Sequence, residues 1–378
     1  MNIDFSPLDS YLDSLLDFGF PMFDCTVHRN HVQLYRRQGG YIDVERKLRH
    51  RPHIRYYLYS VSKVVTCAAA LTLLEDGAYA LDDPIAEYMP EFAAMKVRGK
   101  QDDGALTLTD AVRPITVEHL FTMSAGFDYN MNSESIKAAR EKYPTAPTRE
   151  IIRALAREPL CFEPGERWQY SLCHDVLAAL CEVIAGQRFA DYVRDRIFLP
   201  LGMEHSSYHI TEADKSEMAQ QYIYNDAEKS AVVFGKTNGH ILADDYDSGG
   251  AGMISTAEDY IAFADALACG GMGATGKRIL RPETVELMRT NRLSQVQMGD
   301  YAWDQLRGYG YGLGVRTMMD RDIGPLGEFG WGGAAGALTY IDPDRSIAVY
   351  HAQHTLNPHE EKVLPELRDV IFGCLSKI

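Results

Sequence analysis

The 378-residue chain is expected to fold as an α/β (α+β) protein. A mainly antiparallel sheet flanked by helices would be built from both termini, with an all-helical domain inserted between them. Three observations predict this. Strand-like runs cluster at the two ends of the chain. Tight turns such as Asp342-Pro343-Asp344 separate consecutive runs, which makes neighbouring strands antiparallel. Between about residue 80 and residue 245 helical segments dominate, joined by loops rich in Pro, Gly and Asp. The expected division is a discontinuous α/β domain of residues 1–80 and 245–378, a helical domain of residues 81–244, and a cleft between them.

The elements follow in order. Residues 6–18 place Leu8, Leu12, Leu15 and Leu16 on one side of an amphipathic helix. The runs MFDCTVHRN and HVQLYRRQGGYID read as a hairpin turning at Arg29 and Asn30. Ser60 opens an almost wholly apolar helix that stops at Gly77, and such a helix belongs in the interior. Helical patterns cover 117–123, 147–157, 173–185 and 188–197, and another covers 256–269, with a cap-like Ser255–Thr256 and a Gly270–Gly271 stop. YGLGVRT, the run from Gly327 to Trp331, AGALTYID and SIAVYHAQH are the C-terminal strands. A helix over about 361–376 ends the chain.

Composition narrows the function. A net charge of −15 argues against nucleic acid and anionic membrane surfaces as partners. Apolar content of 46% and charged content of 24% are globular values and exclude disorder. The first twenty residues lack the basic start and apolar core of a secretory signal, and no apolar run approaches a membrane span. Cys25, Cys67, Cys161, Cys173, Cys181, Cys269 and Cys374 are odd in number and form no CxxC pair. They read as small hydrophobes in a reducing cytoplasm.

In LYSVSKVVTC, Ser60 and Lys63 stand three residues apart, so they are neighbours on one helix face. A serine hydroxyl is a weak nucleophile until a base removes its proton. Burial disfavours an ammonium, so a buried lysine is expected to have a lowered pKa and to act as that base. A helix start also presents free backbone N–H groups to a developing oxyanion. The bland alternative is an N-cap serine beside a solvated lysine. Tyr170 follows a Pro-Gly turn in EPGERWQYSLCHDV, where it is either a core aromatic or a proton relay beside the lysine. His174 and Asp175, just after it, are expected to orient the helix start. In EFGWGGAAGALT, glycines crowd the start of a strand, which implies tight backbone packing or the approach of a substrate.

Together, YSVSK, YSL at 170–172 and WGG at 331–333 resemble the serine β-lactamase and penicillin-binding-protein superfamily. The match is to the class C-like branch, and nearest to family VIII carboxylesterases. ITVEHLFTMSAGF, SGGAGMISTAEDYIAFADAL and IFLPLGMEHSSY are similar to connecting segments of that family. The resemblance implies that Ser60 is the acylated nucleophile, Lys63 its base partner and Tyr170 a proton carrier to the leaving group. It also implies an oxyanion hole made by the backbone N–H groups of Ser60 and Ala334, each worth about 3 kcal/mol in the transition state. Leu172, Trp331, Gly332 and Gly333 would contact the substrate.

Two departures bear on that substrate. Leu172 stands where β-lactamases and transpeptidases have an amide, and Trp331 stands where they have a cationic or polar residue. Losing a charged partner costs about 1.5–3 kcal/mol. Both changes favour neutral, short acyl esters over β-lactams or peptides. The expected partner is thus a small-molecule ester or amide. A β-lactamase or D-amino-acid peptidase is the alternative, and a catalytically silent binding or scaffold member is a third reading. No cofactor or metal is expected, since no histidine pair has zinc spacing. GMGATGK at 271–277 lacks the strand–loop–helix context and the Ser/Thr of a P-loop, and reads as a surface loop. There is no GxSxG elbow. The loops near 124–145, 200–250 and 290–310 are expected to shape the pocket.

Overall fold

The structure is a computed structural model that describes residues 3–100, 106–212 and 214–376. Its largest sheet has eight strands, and every pairing in it is antiparallel. From one edge the order is Val32–Gly40, Met22–Arg29, Ile347–Ala352, Ala337–Asp342, Phe329–Gly330, Arg316–Met318 and Tyr309–Tyr311; Gly332–Gly333 also pairs with Ala337–Asp342. All of these strands come from the two ends of the chain. Asp24 faces Ala352, and Leu338 faces His351.

Helices cover both faces. Ser6–Phe18 buries Leu8, Leu12 and Leu15 and stops at Gly19, whose φ of 114° lets its N–H reach back to Leu15 and Leu16. It packs against the C-terminal helix Glu360–Cys374. On the other face lies Ala257–Ala268, capped by the Thr256 side chain, which accepts from the Asp259 N–H. Helix Ser62–Glu75 is buried from Ser62 through Leu73 and packs on Cys173–Ala185, itself buried from Cys173 through Cys181.

Several sequence expectations need correction. The first hairpin turns at Asn30 and His31, both at positive φ, as a two-residue turn matching strand twist requires. YGLGVRT is two strands joined by a turn, because Gly314 takes a φ of 84° and Gly312 N–H closes on the Val315 carbonyl. The stretch expected to be all-helical contains strands. Lys96–Lys100 pairs with Leu106–Asp110, and Tyr222–Asn225 pairs with Ser230–Val233 and, in parallel, with Thr355–Leu356. These runs are too short or too charged to show a clear two-residue period. Helix Glu134–Lys142, capped by Ser133, lies where a loop was expected. His354 stands just beyond the strand that carries His351. Gly271–Lys277 is the turn between two helices that the sequence suggested.

His351 is fully buried, and neither ring nitrogen meets a partner among the described residues. Burial pushes its pKa down to about 3. A lowered folded pKa adds stability that is complete above the ordinary value near 6.5 and is lost as pH falls toward the folded value. His351→Leu, which removes an unsatisfied polar group, is therefore expected to raise stability by about 1–3 kcal/mol at neutral pH. The gain should grow by about 2 kcal/mol near pH 5. Urea melts at the two pH values test this, and a gain that shrinks in acid would refute it.

Candidate active site

The segment before helix Ser62–Glu75 fixes the centre of the site. Ser60 sits on a single 3-10 turn, Tyr59–Val61, two residues ahead of the start of the α-helix instead of inside its first turn. Tyr59 is held at a φ of 51°, a strained conformation for an aromatic residue. Three bonds pin it: its hydroxyl accepts from Gln221 Nε2 at 2.8 Å, its carbonyl accepts from Ser62 Oγ at 2.5 Å, and Ser62 Oγ in turn accepts from Met253 N–H at 3.1 Å.

Lys63 is completely buried. Its Nζ donates to Ser60 Oγ at 3.2 Å, to the Gly250 carbonyl at 2.6 Å and to Tyr129 hydroxyl at 3.5 Å. It also lies 4.7 Å above the centre of the Tyr170 ring. Burial is the largest influence on this amine and pushes its pKa down. Tyr129, Tyr170 and the Asp175 carboxylate push it up, and together they prevail. That direction is opposite to the lowered pKa expected from burial alone. Burial holds the Tyr129 phenol up, so that group is neutral.

Tyr170 is sandwiched. Tyr129 stacks on one side at 5.5 Å and 4°, and Trp331 on the other at 5.8 Å and 16°. Trp331 Nε1 donates to Tyr170 hydroxyl at 3.3 Å. Trp331 thus supplies a neutral donor to the Tyr170 oxygen. Trp303 meets Tyr170 edge-on.

The two glycines after Trp331 have separate reasons. A Cβ on Gly333 would come within 2.2 Å of the Leu58 carbonyl oxygen, so this glycine lets its strand lie against the segment that carries Ser60. A Cβ on Gly332 would come within 2.0 Å of the Glu360 carboxyl. Ala334 follows at the exposed turn. Ser60, Tyr170, Trp331, Gly332 and Ala334 line one cavity of about 160 Å³, together with Trp303, Arg316 and Glu360. Gly333 and Leu172 do not line it. Leu172 is buried in the core at the start of helix Cys173–Ala185.

The second helix contributes more than orientation. Asp175 accepts from Tyr246 hydroxyl at 3.0 Å and Ser248 Oγ at 2.8 Å, fastening the segment whose Gly250 carbonyl holds Lys63. His174 Nε2 lies 3.2 Å from the Phe121 carbonyl, and burial and Lys63 push its pKa down to about 3. Each of the three expected loops brings an aromatic ring towards Tyr129 or Tyr170, among them Tyr129 itself, His240 and Trp303. The His240 ring stands edge-on to Tyr129 and Tyr59. Sequence reasoning missed Tyr129, Gly250, Arg316 and Glu360. Only their distance from the motifs in sequence hid them.

An antiparallel sheet with helices on both faces, and a buried lysine on a serine beside a tyrosine and a glycine-rich strand, define the class: a β-lactamase/transpeptidase-like protein. The chain belongs to the β-lactamase family, whose family model matches residues 25–370. It is 32% identical over 332 residues to Protein Rv1367c of Mycobacterium tuberculosis, covering 83% of this chain and 81% of that protein. It is 28% identical over 382 residues to Esterase EstB of Burkholderia gladioli, covering 92% of this chain and 89% of that protein. Among solved structures it resembles EstCE1, described as a hydrolase with promiscuous acyltransferase activity, with a TM-score of 0.78, 25% identity and coverage of 98% and 99% of the two chains.

Proposed function

We propose that this protein is a serine hydrolase that cleaves small, neutral esters through an acyl-Ser60 intermediate. The observation that carries the reading is the 3.2 Å bond from buried Lys63 to the Oγ of Ser60, a residue that lines a cavity with Tyr170 and Trp331. Relatives named as esterases, EstB and the lovastatin esterase of Penicillium rubens, support an ester as the substrate.

In this reading Lys63 and Tyr170 act as a unit in moving one proton. The unit takes the Ser60 proton as Oγ bonds to the acyl carbon. The C–O bond to the alcohol then breaks, and the same proton passes to the departing oxygen. Water repeats the sequence on the acyl-enzyme and frees the acid and Ser60. The Lys63 ammonium and the Trp331 indole N–H both face the Tyr170 oxygen or ring, where they offset negative charge as the proton moves. Backbone N–H groups of Ser60 and Ala334 serve the oxyanion. A cavity of about 160 Å³ suits a short substrate arm, about five water volumes by the share each water takes in the liquid. Residues 1–80 and 245–378 are proposed as one unit and 81–244 as the other. Seven free cysteines fit a reducing, cytoplasmic setting. Among the described residues no helix is long and apolar enough to cross a bilayer.

Hydrolysis of p-nitrophenyl acetate and butyrate against nitrocefin is the deciding assay. A nitrocefin rate far above the ester rates would point to a β-lactamase. A folded sample that gains no fluorophosphonate adduct at Ser60 would point to a silent binding protein.

The glycine pair gives a graded prediction. Gly333→Ala forces a methyl into backbone, so a loss of about 1–3 kcal/mol in stability and a more than tenfold loss of esterase activity are expected. Gly332→Ala meets side-chain ends alone, those of Glu360 and Leu338, and should cost less on both counts. Equal damage from the two, in melting curves and kcat/KM, would contradict the packing argument.

A further inference from the structure

One part of the cavity wall carries polar groups that the hydrolysis does not use, buried Arg316 and half-buried Glu360. Arg316 is wholly buried, between the rings of Tyr309 and Tyr340. Its Nη2 donates to the Thr339 carbonyl at 2.8 Å and lies 3.4 Å from Glu328. Its Nε and Nη1 meet no acceptor among the described residues. A buried guanidinium N–H without an acceptor is costly, and here the residue borders an open cavity. Glu360, the first residue of the C-terminal helix, lies in the same wall, with its carboxyl against Gly332. No hydrogen-bond donor reaches that carboxyl among the described residues. Burial pushes its pKa up to about 7, Arg316 pulls against that and Glu361 adds to it. One donor side chain and one acceptor side chain therefore border the same small space, each with unused hydrogen-bonding capacity.

We propose that this part of the cavity is a subsite for a neutral group that both donates and accepts hydrogen bonds, such as a hydroxyl or a carboxamide, with Arg316 donating to it and Glu360 accepting from it. A hydroxyl or amide satisfies both side chains at once. An alkyl group satisfies neither and leaves both desolvated. A carboxylate suits Arg316 but meets the Glu360 charge. The proposal rests on the ester-hydrolase reading and names the substrate class within it: short esters with a hydroxyl or amide on the acyl arm.

The test uses methyl esters of matched length, followed by acid release at about pH 8.5, where Glu360 is charged. The substrates are methyl butyrate, methyl 3-hydroxybutyrate, methyl succinamate and monomethyl succinate. For the wild-type protein, kcat/KM is expected to be about tenfold higher for the hydroxy and amide esters than for methyl butyrate, and lowest for monomethyl succinate. Glu360→Gln should cut the ratio of hydroxy ester to monomethyl succinate by about tenfold or more, through KM more than kcat. Glu361→Gln, the exposed neighbour, should leave the ratios where they are. Equal ratios in wild type and Glu360→Gln would overturn the subsite while leaving the hydrolase standing. If no ester is hydrolysed, p-nitrophenyl butyrate included, the hydrolase reading fails instead. Quenching of tryptophan fluorescence by succinamide against succinate, in wild type and Glu360→Gln, then decides the subsite by itself: preference for succinamide that the substitution abolishes supports it, and no preference overturns it.

Discussion

Ser60→Ala is expected to lower p-nitrophenyl butyrate hydrolysis by at least roughly a thousandfold, with no change in fold. Among the described residues, the only side chain that bonds Ser60 Oγ is Lys63, at 3.2 Å, so removal of the hydroxyl leaves the packing of the turn intact. Tyr59, Ser62 and Gln221 still hold the backbone through bonds that do not involve Oγ. What disappears is the atom that bonds to the acyl carbon, and no neighbouring hydroxyl can take its place. Ser62 is the nearest serine in sequence, but it is fully buried and already committed to the Tyr59 carbonyl and the Met253 amide. The measurement is turnover by the purified variant, with near-ultraviolet circular dichroism as the control for folding. Activity within tenfold of wild type would remove Ser60 from the chemistry.

Lys63→Met should cost about as much. Methionine fills a similar volume, so the cleft stays packed while the cation is lost. Without it, the Ser60 proton has no partner with access to Tyr170, and negative charge on the tyrosine oxygen keeps only the indole donor. Tyr170→Phe alone is expected to cost about a hundredfold to ten-thousandfold, the usual range for one acid–base group. The informative variant is the double one. If Lys63 and Tyr170 work as a unit, Lys63→Met with Tyr170→Phe should be no worse than the more damaging single change. Losses that multiply would mean that the two groups act in separate steps, and the shared-proton mechanism would have to be abandoned.

The parts of the site legible in the sequence were those bound by local spacing. Ser60 and Lys63 meet because three residues make nearly one helical turn, and the 3-10 turn at Tyr59–Val61 preserves that neighbourhood even though the α-helix starts later. Trp331 could be placed on a glycine-rich strand, but its partner could not: the bond to Tyr170 joins residues 161 positions apart. The direction of the Lys63 pKa shift was misjudged for the same reason. Burial, which the apolar helix announces, lowers its pKa, while the groups that raise it arrive from Tyr129, Tyr170 and Asp175 in other segments. Leu172 illustrates the opposite error. Its place in a motif suggested substrate contact, yet the helix start turns it into the core. Arg316 gave no signal at all. A charged residue on a short strand normally faces water, and only the sheet order shows that this one faces inward.

The positive φ at Tyr59 is a local strain that the packing of its own side chain outweighs. A backbone forced into that region by a bulky residue carries a local penalty, and glycine or asparagine there would relieve it. Tyr59→Gly or Tyr59→Asn would nonetheless empty a buried site, at about 3–5 kcal/mol against about 1–3 kcal/mol of strain relieved, and would surrender the ring and hydroxyl that brace the neighbouring residue from behind. A thermostabilising campaign on this scaffold should leave Tyr59 untouched and seek its gains elsewhere.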